Sequence, residues 1–346
     1  MSIERARPGL PSSMSSETPD CIVPRVSVVV PAYNAQETLA DCLACLVSQQ
    51  GLELGRDYEV IVVNDGSTDG TASIASRYPV RLISLERNRG RIVARRTGAE
   101  AARSDMLLLI DTRVMAAPDL LKTALGIGHT PLIAGDLGED KYRSHLETSL
   151  YLLRRLIYWP YHPQSRYGRE LWIDARNFYR APKGTGCLLI GKRMFLEALP
   201  EAQGKTVNDD TKIFASIVFD KGLPLLRHTD LKARYVSRLD LLNARKWLFQ
   251  RGILFADFLL FKNALYPALL LAPLVALALL IAGGVVFPMA ALAVAGVCFV
   301  GYAGVAAWAA ENLRDFGILM RSLPWIAAVF WAGAVWGLAL KWKARQ

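Results

Sequence analysis

Apolar positions come in short blocks through the first third of the chain and in long blocks at its end. Arg25 to Pro31 reads R-V-S-V-V-V-P, a β-branched run closed by proline, which predicts a buried strand. Between Ala35 and Gln49 the apolar residues Leu39, Cys42, Leu43 and Leu46 share one helical face. Tyr58–Val63 predicts a second strand, ending in Asn64-Asp65-Gly66. Thr68–Arg77 reads as helix, Val80–Leu85 as strand, Gly90–Arg103 as helix and Asp105–Ile110 as strand. Strands alternating with helices predict βαβ units, an α/β class with a mainly parallel sheet. Ligands of such sheets bind at the carboxyl ends of the strands. Three of those ends here carry Pro31-Ala32-Tyr33-Asn34, Asn64-Asp65-Gly66-Ser67 and Asp111-Thr112-Arg113.

The pattern loosens after Asp111. Glu147–Tyr161 is apolar and aromatic, with Arg154 and Arg155 set into it. Leu188–Leu199 and Asp210–Phe219 read as strand-helix pieces. Leu241–Phe261 is amphipathic, with Arg245, Lys246 and Arg251 among aromatics, and predicts a helix lying on a membrane surface. Ala264–Ala310 then carries no charged residue, and neither does Ser322–Leu340. A bilayer span needs about 20 apolar residues, so two to three transmembrane helices are expected. The predicted order is a disordered tail at 1–24, an α/β domain at 25–237, an interface helix at 238–263 and a membrane region at 264–346. The preferred topology has three spans, 265–286, 289–309 and 322–340, with the polar stretch Glu311–Arg321 in the cytosol. In the competing topology the last segment is interfacial or re-entrant and the tail stays inside.

Met1–Asp20 lacks the apolar core of a signal peptide, so the polar domain is expected in the cytosol, on a multi-pass inner (cytoplasmic) membrane protein. The formal charge of +10 suits an anionic membrane surface. No focused basic motif points to nucleic acid. Cys42 and Cys45 form a lone C-x-x-C inside the first helix and read as core residues. The histidines at 129, 145, 162 and 228 show no ligand spacing, so zinc chemistry is not expected. Asp65–Gly70 superficially matches a calcium loop but lacks its closing Glu and its preceding helix. Neither a Walker A loop nor a dinucleotide glycine fingerprint is present.

Several segments, taken in order, resemble one family. They are V-S-V-V-V-P-A-Y-N at 26–34, V-I-V-V-N-D-G-S-T-D-G-T at 60–71, Asn88-Arg89-Gly90 with Ala94-Arg95, and L-L-L-I-D at 107–111. Together they resemble the inverting glycosyltransferase family 2, over about residues 25–250. Gly184-Thr185-Gly186 before a strand and Asp209-Asp210 opening a helix extend the likeness. Asn243–Trp247 loosely resembles the Q-x-x-R-W of processive members.

The resemblance implies a GT-A nucleotide-sugar-binding sandwich followed by transmembrane helices. It implies transfer of sugar from a UDP- or GDP-sugar to a lipid-linked or polysaccharide acceptor at the cytosolic membrane face. The alternatives are a polyprenyl-phosphate glycosyltransferase and a catalytically weak nucleotide-binding scaffold. Pro31, Ala32, Tyr33, Asn34, Asp65, Ser67, Arg95, Asp111 and Arg113 would hold the donor. Asp65 would accept from the base, and Asp210 would act as general base, oriented by Asp209. Gly184, Thr185, Gly186, Lys246 and Trp247 would meet the acceptor or the diphosphate. The family's D-x-D holds a divalent cation, and here Arg113 replaces its second Asp. Either Asp111 holds Mg²⁺ or Mn²⁺ with substrate oxygens, or Arg113 itself supplies the positive charge.

Overall fold

The computed structural model describes residues 23–138, 144–158, 161, 169–200, 209–236, 241–256, 260, eight positions within 267–281, and 288–343. The tail, Phe258, Phe261, Gln346 and most of the expected first span lie outside the described residues.

Four parallel strands form half of the sheet, in the order β3 (Arg81–Ser84), β2 (Tyr58–Asn64), β1 (Val26–Ala32), β4 (Met106–Ile110). β1 and β2 are buried almost throughout. The polar Ser27 is accommodated because its hydroxyl donates to Glu59 (2.6 Å) and accepts from Ser104 N–H. On one face, α1 (Leu39–Val47) buries the face its spacing predicts, Leu39, Cys42, Leu43 and Leu46. Burial pushes the Cys42 thiol up, as suits a core residue rather than a redox one. On the other face lies α3 (Arg91–Ala101), which buries Ala94, Arg95, Gly98 and Ala99. A Cβ on Gly98 would stand 2.3 Å from Val29 Cγ1 and 3.1 Å from Val63 Cγ2. This close approach sets Arg95 beneath the strand ends. Gly98→Ala should therefore lower stability by about 1–3 kcal/mol through overpacking, read as a lower urea midpoint; an unchanged midpoint would mean that α3 shifts freely.

The sheet is mixed, which corrects the expectation of a mainly parallel one. Beyond β4 come β8 (Cys187–Gly191), β6 (Leu132–Gly138), β9 (Leu225–Tyr235) and β5 (Val114–Ala116), and β7 (Glu170–Ile173) also pairs with β9. The β4–β8, β6–β8, β5–β9 and β7–β9 pairings are antiparallel; β6–β9 is parallel. Strands buried on both faces carry the same apolar run in either direction, so orientation is not written in the local pattern. It matters for the site: because β8 enters antiparallel, Cys187 pairs with Ile110. Gly184–Gly186 is thereby delivered to the carboxyl edge of the parallel half.

At the C-terminus, α9 (Pro288–Ala309) is followed by α10 (Leu313–Lys343). Most of the polar stretch expected to separate two spans, Glu311–Arg321, is thus the first turns of one continuous helix. Among the described residues one helix, Leu313–Trp342, is long and apolar enough to cross a membrane, and Ala295–Ala309 is a shorter apolar stretch. α5 (His145–Ile157) docks the α/β domain on both: Leu152 packs with Ala306, Ala309 and Leu319, and Ser149 and Ser322 share a hydrogen bond of 2.6 Å. The predicted interface helix is α8 (Leu241–Leu254), and it packs along α10.

Candidate functional site

The loops after β1 and β2 are laced together. Asn34 takes a left-handed φ of 45°. Its backbone N–H donates to the Ser67 hydroxyl (3.0 Å), and its side chain accepts from Thr68 N–H (2.9 Å). Asp69 accepts from Thr71 N–H (3.0 Å) and Gln36 N–H (3.2 Å), so the second Asp of the D-G-S-T-D-G run builds the wall rather than facing a ligand. Tyr33 is exposed on this wall, while Ala32 is buried.

Asp65 is buried and used locally. Its Oδ1 accepts from Arg89 N–H (2.7 Å) and its Oδ2 from Gly90 N–H (2.9 Å). Gly66, at φ 64°, lets this turn lie against the same loop; a Cβ there would be 2.3 Å from the Arg87 carbonyl carbon. Asp65 thus ties the end of β2 to the start of α3. Each carboxylate oxygen can take a second donor, so a base N–H remains compatible with this arrangement.

Arg95 is the centre of the site. Its side chain is 1% exposed, and its guanidinium spans Asp111 Oδ1 (2.9 Å) and Asp210 Oδ1 (3.0 Å). Asp210 lies on α7 (Asp209–Ala215), 115 residues further along the chain. Its Oδ1 also accepts from the Thr185 hydroxyl (2.5 Å) and lies 3.6 Å from Arg91. Burial alone would push the Asp210 carboxyl up; Arg91, Arg95 and the Thr185 hydroxyl outweigh it and hold it well below the usual carboxylate range. Asp111 N–H donates to Gly186 O (3.0 Å), closing the strand end on the glycine loop. Lys183 steadies that loop: its ammonium donates to the carbonyls of Phe178 and Ala181 and lies over the Phe178 ring, and burial lowers its pKa to about 8.

Five predicted residues, Arg95, Asp111, Thr185, Gly186 and Asp210, therefore meet at one place. Arg113 lies two residues beyond Asp111, and its carbonyl accepts from Val236 N–H where β9 ends. Asp209 opens α7, but its side chain lies outside the described residues. Lys246 and Trp247 sit on α8, Trp247 beneath Arg251 at 5.2 Å, in a helix whose partner is α10. Sequence reasoning missed Arg91. The signal was available, since Arg91 precedes Arg95 by one helical turn on the same face.

A divalent cation would have Asp111 as its protein ligand, with substrate oxygens and water completing the set. Asp111 offers one carboxylate, one oxygen of which already accepts from Arg95, and Arg113 stands two positions on. Among the described residues no group of three His, Cys, Asp or Glu side chains is placed to hold a metal ion.

Residues 27–127 match the sequence model of Glycosyl transferase family 2. Over 103 residues the chain is 38% identical to the succinoglycan biosynthesis protein ExoO of Rhizobium meliloti (strain 1021), a match covering 29% of this chain and 28% of that one. It is 36% identical over 130 residues to the dolichyl-phosphate beta-glucosyltransferase of Mus musculus, covering 34% of this chain and 39% of that one. The matches therefore span well under half of these curated relatives. Among solved structures, the mannosyltransferase PcManGT from Pyrobaculum calidifontis, in complex with GDP-Man and Mn²⁺, superposes with a TM-score of 0.58 at 17% identity, covering 91% of this chain and 87% of that one. That likeness is one of fold.

Proposed function

We propose, from the premise that residues 27–127 are a glycosyl transferase family 2 domain, that the chain is a membrane-bound inverting glycosyltransferase. It takes sugar from a UDP- or GDP-sugar and passes it to a hydroxyl of a lipid-linked or polysaccharide acceptor at the cytosolic face of the inner membrane. The observation that carries the reading is the Arg95-centred cluster, which joins the end of β4 to Asp210 through Asp111 and Thr185. The donor's base lies against the Pro31–Asn34 and Asp65–Ser67 wall. Its diphosphate meets the N-terminal end of α3 and the guanidiniums of Arg91 and Arg113.

Asp210 is built to act from one side. Its recorded contacts among the described residues all fall on Oδ1, which fixes the carboxylate and leaves Oδ2 for the acceptor hydroxyl. Arg91 is the longest of those contacts, at 3.6 Å, and its side chain is 43% exposed. An arriving diphosphate draws Arg91 away from Asp210 and so raises the carboxylate's basicity at the moment it is needed.

The test is turnover. The full-length chain in lipid should release UDP or GDP from one of a panel of nucleotide sugars when glycolipid acceptor is added. Nucleotide binding with no turnover for any donor and acceptor would favour the scaffold reading. The likeness to a dolichyl-phosphate glucosyltransferase supports the second reading, a polyprenyl-phosphate acceptor, which needs no base because it is already anionic.

Because Arg113 stands where the resemblance expects a second carboxylate, the positive charge on the diphosphate is assigned to arginine. UDP or GDP affinity, measured by calorimetry in excess EDTA, should stay within about threefold of its value in Mn²⁺, and Arg113→Asp should weaken it about tenfold or more. Loss of binding in EDTA with recovery in Mn²⁺ would return the cation to Asp111.

A further inference from the structure

The longest apolar helix among the described residues is paired with a helix that carries three cations. α8 and α10 touch backbone to backbone. A Cβ on Gly252 would lie 2.1 Å from Phe330 O, and one on Gly333 would lie 2.0 Å from Phe249 O. Further along, Gly337 meets Ile253, and Lys341 Nζ donates to Ala256 O (3.3 Å). The partners advance together, Phe249 to Gly333 and Ile253 to Gly337, so the helices run in the same direction at a constant offset. That offset sets Arg245, Lys246 and Arg251 level with Val329, Phe330 and Val335. These three levels occupy the middle of the uncharged run Ser322–Leu340. Arg245, Lys246, Gln250 and Arg251 are all exposed on α8.

If α10 crossed the bilayer along its normal, these levels would lie about 8–12 Å inside the nearer end of the uncharged run, within the hydrocarbon. Three charged side chains would then face hydrocarbon with no carboxylate partner among the described residues, Arg251 having only the Trp247 ring beneath it. Laid in the plane of the interface, the same pair meets no such conflict. The cations face anionic headgroups and water. The exposed apolar residues Ala332, Val335, Trp336, Ala339 and Leu340 of α10 face the acyl boundary, and tryptophans are at home at that depth.

We infer that α8 and α10 together form a monotopic platform on an anionic lipid bilayer, with no membrane span in residues 313–343, and that the C-terminal tail stays on the side of the catalytic domain. The inference rests on the membrane-bound reading above and adds the orientation of its last helix. It replaces the three-span expectation, and it keeps Lys341, Lys343 and Arg345 on the cytosolic side, as the positive-inside tendency requires. It also gives α5 a role. The Leu152 and Ser149 contacts fix the α/β domain to the first turns of the platform, so the strand-end site is held at a set height above the lipid that carries the acceptor.

The experiment uses the full-length chain with its five native cysteines replaced by alanine. Gln346→Cys in intact cells should resist a membrane-impermeant maleimide and label fully after permeabilisation. Arg251→Cys in inside-out vesicles should react with the same reagent at close to the rate of a soluble thiol. Gln250→Cys, on the same exposed face, repeats that measurement without removing a charge. Labelling of residue 346 in intact cells, or protection of both 250 and 251 in inside-out vesicles, would overturn the platform while leaving the membrane-bound reading intact. Recovery of the chain in the soluble fraction would overturn both.

Discussion

Asp210→Asn should lower transfer to a hydroxyl acceptor by roughly 10²–10⁴-fold, the usual contribution of a positioned general base, while changing donor affinity little. The amide preserves the shape of the group and keeps one oxygen for the Thr185 hydroxyl and Arg95. What it loses is the second oxygen's ability to take a proton. Single-turnover transfer and calorimetric donor binding, measured on the same preparation, separate the two effects. A variant as active as the parent on a hydroxyl acceptor would remove Asp210 from the mechanism. A variant that loses glycolipid transfer but retains transfer to a polyprenyl phosphate would show a base needed for one acceptor and dispensable for the other.

The parallel half of the fold is legible in the sequence because each of its elements has its own local period. The valines of β1 and the Leu39–Leu46 face of α1 predict their structures within a few residues. The site was legible for a related reason: polar residues directly after an apolar run must lie at a strand end, and β1, β2 and β4 end together. The antiparallel half was not legible, since Cys187–Gly191 reads the same in either orientation. Only its pairing with Ile110 brings Thr185 to Asp210. Nor was the partner of α8 legible. Gly252 and Gly333 look like ordinary small residues in apolar surroundings until a second backbone is found where their Cβ atoms would be. Arg113 was visible as a departure from a carboxylate pair, yet its consequence for a cation depended on learning that Arg95 already takes one oxygen of Asp111.

Arg95→Leu should have the largest effect on the protein as a whole. It removes the cation between Asp111 and Asp210 and leaves two like charges side by side. Breaking a buried pair from one side costs about 3–5 kcal/mol; the lower end applies here, because the two carboxylates are 29% and 22% exposed and water screens them. The urea midpoint should fall accordingly. A purely structural role would end there, but the pH profile carries a second signature. In the parent the Asp210 carboxyl sits below its ordinary value of about 3.9. Its stabilisation is therefore complete above that value and is lost only as pH falls through the depressed one. Between pH 5 and 8 the parent's transfer rate should then show no acidic limb from this group. In Arg95→Leu the Asp210 pKa rises, because burial and the neighbouring Asp111 charge now oppose ionisation with only Arg91 and the Thr185 hydroxyl against them, and an acidic limb should enter that window. Arg95→Lys keeps the charge without the planar fork, reaches one carboxylate at a time, and should fall between the two in both measurements. A lowered midpoint with an unchanged pH profile would leave Arg95 a structural residue and detach it from the basicity of Asp210.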